Sequence, residues 1–169
     1  EGLAYLTGEM LADASTENNR YEEILEKLYP IASSYRIRVD REMSTLTGRT
    51  HRDNIDIFSS LFMDAYLLPA FDDSDFQRIK ADTINYLENT LRYSSDEELG
   101  KAALNQLIFA GTRYAHPPEG TVDGLNSITL ADVRSFYEQY FTADSATLAL
   151  GGGFDDALVE TLGASLANL

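Results

Sequence analysis

One short stretch of this chain alternates, and most of the rest repeats with a helical period. Tyr35, Ile37 and Val39 are interleaved with Arg36, Arg38 and Asp40. Such a period of two puts apolar side chains on one face of a strand and charged ones on the other. Met43, Thr45 and Thr47 continue in the same style, so two adjacent strands meeting around Asp40-Arg41 are expected. On either side the spacing is helical. Leu3, Leu6, Met10 and Leu11 predict a helix over 3–14, and Tyr21, Ile24, Leu25 and Leu28 predict one over 20–29 that Pro30 ends. Between them Ser15 to Asn19 is a polar break. Ile57, Phe58, Leu61, Phe62, Ala65 and Leu68 predict a helix over 54–68, stopped by Pro69. Strands and helices are mixed without strict βαβ alternation, which makes the class α+β.

The second half reads as helices with one further strand. Asp72, Asp73 and Ser74 supply caps and favourable charge for a helix that runs to about Arg92, with Phe76, Ile79, Thr83, Leu87 and Leu91 inward. Ser95 to Glu98 is a capping-box pattern, opening a helix to about Phe109. Gly111 to Gly124 reads as a loop rich in Pro and Gly. Thr129 and Asp132 form a near capping box before a helix to about Tyr140. Ala146 to Leu150 is expected to be a strand ending in Gly151-Gly152-Gly153, and Asp155 to open a last helix reaching the C terminus. No internal repeat, low-complexity segment or linker interrupts the chain, so residues 1–169 are expected to form one domain.

Charge narrows the partners. Asp and Glu number 28 against 13 Lys and Arg, a net charge of −15 that disfavours nucleic acid and anionic membrane surfaces. The acids are spread along the chain and read as solvated faces. With no Cys there is neither a disulfide nor a thiolate metal site, and the compartment stays unidentified. No apolar run approaches the roughly 20 residues needed to span a bilayer. The chain opens directly on a helix with no Met, which suggests a piece of a longer protein.

Residues 2–10 read Gly-Leu-Ala-Tyr-Leu-Thr-Gly-Glu-Met. This stretch resembles the metal-binding helix of the insulinase/pitrilysin-type peptidases, the inverted zincins that include the mitochondrial-processing-peptidase-like enzymes. Those carry His-x-x-Glu-His inside a frame similar to Gly-Leu-Ala-His-Phe-Leu-Glu-His-Met. Gly2, Leu3, Ala4 and Met10 match the frame. The first His position holds Tyr5, the general-base position Gly8 and the second His position Glu9. The resemblance puts the family's third zinc ligand, a Glu, at Glu88. Zinc catalysis needs three protein ligands and an open position for water, whose proton a carboxylate removes. A phenol is protonated at neutral pH, Gly8 has no side chain, and Glu9 is a single carboxylate. The resemblance therefore implies the peptidase fold with no catalytic residue and no bound zinc or other cofactor. Without the resemblance, Tyr5 and Glu9 read as an aromatic and a solvated acid on an ordinary helix.

Further landmarks follow in the family's order. Thr45 and Thr47 stand where the strand pair carries Asn-Ala-x-Thr. Pro69-Ala70-Phe71 matches a Pro-x-Phe after the long helix. His116-Pro117-Pro118-Glu119-Gly120 matches a His-Pro segment with a nearby Gly, followed by Gly124 and Ile128-Thr129 ahead of Asp132. Tyr137 to Phe141 and the Gly-ended strand resemble the family's last landmarks. The resemblance implies a two-layer domain, a mostly antiparallel sheet packed against helices. The roughly two strands that precede the metal helix in the family are missing from this sequence, so pairing with another segment is expected, because an incomplete sheet exposes unpaired backbone groups.

The expected function is that of a non-catalytic half of a clamshell metallopeptidase assembly. Such a half binds substrate or holds the assembly together, with a second peptidase-like domain or subunit, and a peptide substrate, as partners. Two alternatives stand beside it. One is an active zinc metalloendopeptidase using Glu9, Glu88 and a His as unusual ligands; the other is a plain α+β interaction module. The remaining candidates are bland. His51 reads as a solvated residue of a polar turn and His116 as a loop anchor. Gly151-Gly152-Gly153 resembles a phosphate loop in placement but lacks the following Lys. Asp72-Asp73-Ser74-Asp75 lacks the Gly and distal Glu of a calcium loop.

Overall fold

A computed structural model of the protein describes residues 1–167. Helix α1 (Leu3–Ala12) lies at the centre. Its Leu6, Met10 and Leu11 are at most 1% exposed, and among the described residues no other helix has three large side chains so enclosed. They join Phe71, Phe76, Ile79, Leu125, Ile128 and Val133 in the main apolar cluster. At roughly 1.5–3 kcal/mol for each large side chain removed from water, this cluster dominates the stability of the fold.

Around α1 the chain lays down α2 (Tyr21–Leu28), the hairpin β1 (Ser34–Val39) and β2 (Ser44–Arg49), and α3 (Ile55–Leu67). Helix α4 (Asp73–Asn85) follows, then α5 (Arg92–Ser94), α6 (Asp96–Ile108), α7 (Val122–Ser127), α8 (Leu130–Tyr140) and α9 (Asp156–Leu166). The hairpin covers α1 on one side, and α4 and α8 pack on it from the others. A second cluster, Ile24, Leu28, Phe58 and Leu61, ties α2 to α3, with Tyr35 and Phe62 against it. The α+β class and the antiparallel sheet packed on helices are as expected.

Several start and stop signals act as the sequence predicts. The Asp72 carboxylate accepts from Ser74 N–H at 2.8 Å and begins α4. Thr129 and Asp132 cap each other at the start of α8. The Asp155 carboxylate accepts from Leu158 N–H and begins α9. The expected continuation of that last helix to the C terminus runs into residues 168–169, which lie outside the described residues.

Five expectations need correction. In the second strand Thr45 and Thr47 face solvent, while Ser44 and Leu46 face inward with Tyr35, Ile37 and Val39. The cause is the turn: Asp40 accepts from the N–H groups of Glu42 and Met43, so Val39 pairs with Ser44. Odd-numbered residues of β1 therefore oppose even-numbered ones of β2, and a one-residue change of register exchanges the faces of a strand. The helix expected from Asp72 to Arg92 loses its α-helical pattern at Tyr86, and Tyr86–Leu91 forms a π-helical turn. The capping box at Ser95 does not form: its side chain makes no cap hydrogen bond, and the Glu98 carboxylate lies 2.9 Å from the Lys101 ammonium. The expected loop 111–124 contains the start of α7, capped by the Thr121 hydroxyl. Ala146–Leu150 is extended but is not a strand. Its burial still alternates, with Ala146, Leu148 and Leu150 half-buried. What it lacks is a neighbour: residues 147–150 make no backbone hydrogen bond among the described residues.

Candidate functional site

The start of α1 is fixed by a close approach of two backbones. Gly2 has φ +90 and Gly120 has φ +89, a region that glycine occupies without steric cost. A Cβ on Gly120 would lie 2.6 Å from the Gly2 Cα, and one on Gly2 would lie 2.7 Å from the Glu119 carbonyl oxygen. The glycine of the helix frame and the glycine of the His-Pro segment thus meet, and their contact sets Glu119 beside the first turn of α1.

From there Tyr5 and Glu9 share one stripe of α1, four residues apart. Both are half-buried. Burial pushes the Glu9 carboxyl up to about 7, the neighbouring Asp13 and Glu119 carboxylates add to this, and the Tyr5 hydroxyl opposes it. Burial likewise raises the Tyr5 phenol, helped by the negative charge of Glu9 and Glu119 and by Tyr86. Tyr5 therefore stays a neutral hydroxyl at physiological pH and is no phenolate ligand.

Gly8 points elsewhere and is fully enclosed. A Cβ placed on it would lie 2.5 Å from Val39 Cγ2 and 3.3 Å from Ile37 Cδ1. The hairpin has moved into the space a side chain would need. The position that corresponds to the general base is thus closed by packing as well as empty in sequence.

The other expected site residues stand apart. Glu88 is exposed on the π-helical turn and does not figure among the groups acting on Tyr5 or Glu9. His51 is exposed, accepts a 3.3 Å hydrogen bond from Asp53 N–H, and lies 3.5 Å from the Asp53 carboxylate. The Nδ1 of His116 is 2.7 Å from the Pro117 carbonyl oxygen, and its own carbonyl accepts from Arg41 at 3.4 Å. That arrangement anchors the loop to the hairpin turn. Among the described residues no three His, Asp or Glu side chains gather as a metal site would require. The proposed ligand set of Glu9, Glu88 and a His is not brought together.

Three neighbours of the Tyr5–Glu9 stripe escaped the sequence reading: Asp13, Tyr86 and Glu119. Asp13 was accessible in principle, since it follows Glu9 by four residues. Tyr86 and Glu119 reach the stripe only through tertiary packing. Chemically, the stripe offers one carboxyl that titrates near neutrality beside hydroxyls and further acids, with neither a base at position 8 nor a second metal-binding ring.

No family model matches the chain. A probable mitochondrial-processing peptidase subunit alpha of Schizosaccharomyces pombe is 25% identical over 142 residues, covering 84% of this chain and 28% of that protein. The peptidase M16 inactive domain from Pseudomonas fluorescens superposes with a TM-score of 0.85 at 21% identity, covering 99% of this chain and 40% of that one. The periplasmic protease PqqL from Escherichia coli gives 0.76 at 16% identity over 99% of this chain and 19% of its own. The chain therefore spans well under half the length of each of these proteins. It has the fold of the M16 peptidase domains among these structures, and its own sequence lacks His-x-x-Glu-His.

Proposed function

We infer that the protein is a non-catalytic insulinase-like domain that serves as the substrate-binding or structural half of a larger peptidase-like assembly. The closed position at Gly8 carries this reading. An inactivated site could lose its ligands and keep its cavity; here Val39 and Ile37 fill the space where the base would stand, so α1 works as a packing helix. The sheet supports a role in assembly. Among the described residues it has two strands, and residues 147–150 make no backbone hydrogen bond. Unpaired backbone groups of this kind accept a further strand readily. A second peptidase-like domain or subunit is the partner this reading requires, and a peptide its ligand.

The test is zinc titration by calorimetry on the chelator-washed chain, run beside cleavage of an unfolded protein substrate. The expected result is no stoichiometric zinc and no chelator-sensitive cleavage. Zinc uptake near one equivalent, with cleavage that chelator stops and zinc restores, would overturn it.

A further inference from the structure

The outward face of the hairpin is basic in a chain that is otherwise strongly acidic. Arg36, Arg38, Arg41, Arg49 and Arg52 all fall within residues 36–52, against only Asp40 and Glu42, while the whole chain carries −15. The register gathers three of these arginines on one surface. Ser34 pairs with Arg49, Arg36 with Thr47 and Arg38 with Thr45. Directly opposed residues share a face of the sheet, so Arg36, Arg38 and Arg49 stand together, with Ser34, Thr45 and Thr47 around them. All six are exposed. Neighbours two apart on a strand, or diagonal across a pair, lie about 7 Å from each other. The three arginines therefore follow one another across this face at about that spacing.

Among the described residues only the Asp40 carboxylate acts on one of them, Arg38, which helps hold that carboxyl below its ordinary value. The ion pairs of the structure involve His51, Arg78 and Lys101. Arg41 is engaged, donating to the Tyr114 and His116 carbonyls. Arg36 and Arg49 have neither a carboxylate nor a carbonyl partner, and Arg38 has only the influence of Asp40, short of an ion pair. Their inward neighbours Tyr35, Ile37 and Val39 are packed against helices, so the strand cannot turn these side chains away. Three like charges on one face, with only Asp40 near one of them, repel one another.

We propose that the outer face of the β1–β2 hairpin docks an acidic polypeptide segment through Arg36, Arg38 and Arg49. An extended segment with a carboxylate at every second residue repeats at about 7 Å and matches the arginine spacing; Thr45 and Thr47 add hydroxyl donors. The arginine fork binds carboxylates in bidentate fashion, which a point charge does not. Polypeptide is favoured over nucleic acid because the acidic surface around the hairpin repels any anion in proportion to its charge density, and a duplex carries a charge about every 1.7 Å where this segment carries one about every 7 Å. The proposal stands apart from the reading of α1, since it uses none of its residues.

The experiment is fluorescence anisotropy of the whole chain with a short labelled peptide that alternates Glu and Thr, and with a Gln-Thr peptide of the same length. The Glu peptide is expected to bind at an ionic strength of about 0.01 M and to be released near 1 M, as the screening length falls from about 30 to about 3 Å. The variant R36Q/R38Q/R49Q is expected to bind it about tenfold more weakly, with unchanged circular dichroism and melting temperature. R113Q, an exposed arginine outside the hairpin, is expected to bind as the parent does. No binding at low ionic strength, or equal binding by the triple variant, would overturn the proposal. So would tighter binding of oligothymidylate than of the Glu peptide. Self-association at low ionic strength that the triple variant loses, without peptide binding, would assign the face to a second copy and likewise overturn it.

Discussion

Giving residue 8 a single methyl group sets two energies of opposite sign against each other. Gly8 lies inside α1, where replacing Gly by Ala favours the helix by about 1 kcal/mol. Here the new Cβ would stand 2.5 Å from Val39 Cγ2 and 3.3 Å from Ile37 Cδ1. Val39 is only 8% exposed, so it has little room to yield. Forcing an extra carbon into a packed core costs about 1–3 kcal/mol. The expected net effect of Gly8→Ala is a loss of about 0–2 kcal/mol, too small to interpret alone. The informative quantity is its coupling to Val39. Val39→Ala on its own leaves a small cavity against α1 and should cost about 2 kcal/mol. In the double variant the methyl at position 8 enters that cavity, so the overpacking vanishes and the helix gain remains. A favourable coupling of about 1–2 kcal/mol is expected, well above the few tenths found for independent sites. Urea denaturation of the four proteins, with equal slopes, measures it. Additivity within those few tenths would refute the claim that the hairpin closes this position, and with it the main support for a non-catalytic reading.

Three other perturbations test separate parts of the argument. Restoring the family residues in one variant, Tyr5→His with Gly8→Glu and Glu9→His, should lower the melting temperature and give no chelator-sensitive cleavage, because a Glu side chain at position 8 meets Val39 and Ile37. The Glu9 carboxyl, held near 7 against an ordinary 4.5, makes the protonated form the favoured one in the fold. Its contribution is fully present below about pH 4.5 and is lost as pH rises through 7. Glu9→Gln should leave stability at pH 4 unchanged and raise it at pH 8 by about 1–2 kcal/mol, a dry-site value of about 3 reduced for water at the open side; an equal gain at both pH values would contradict the assignment. Asp75 is 8% exposed and accepts from the Ser15 N–H at 2.8 Å and the Ser15 hydroxyl at 2.7 Å, with Arg78 at 3.0 Å. Asp75→Ala strands those donors and should cost about 1–3 kcal/mol in chemical denaturation.

The parts of the fold that could be read in advance are those whose cause is local. Pro30 and Pro69 end helices because the ring removes a donor and blocks the preceding turn. The cap at Asp72 and the Thr129–Asp132 box satisfy backbone groups within four residues. The helical face of α1 was legible because Leu6, Met10 and Leu11 follow its period. Features that depend on distant partners were not. The faces of β2 hinge on how Asp40 closes a turn, which periodicity over Met43, Thr45 and Thr47 does not reveal. Ser95 makes no side-chain cap, and Glu98 instead pairs with Lys101 one turn on. Residues 146–150 carry the composition and alternation of a strand, but a ladder needs a neighbour as well as a pattern.

The site followed the same division. Tyr5, Gly8 and Glu9 could be named from the sequence because the frame around them, Gly2 to Met10, is continuous. What the sequence could not show is that Gly120 is a glycine for the sake of Gly2, more than a hundred residues away, and that Gly8 makes room for Val39. Both glycines serve packing, and the distinction bears on function. The approach of Gly120 to Gly2 involves backbone alone, so it is indifferent to what stands at Tyr5 and Glu9 and holds α1 in place with or without a metal. The Gly8 contact is different, because a helix carrying a side chain there would have to stand farther from β1. Closure of the hairpin onto α1 and occupancy of the base position are therefore mutually exclusive. In this chain the enclosed Leu6, Met10 and Leu11 make α1 the centre of the core, and that is the state the exclusion selects.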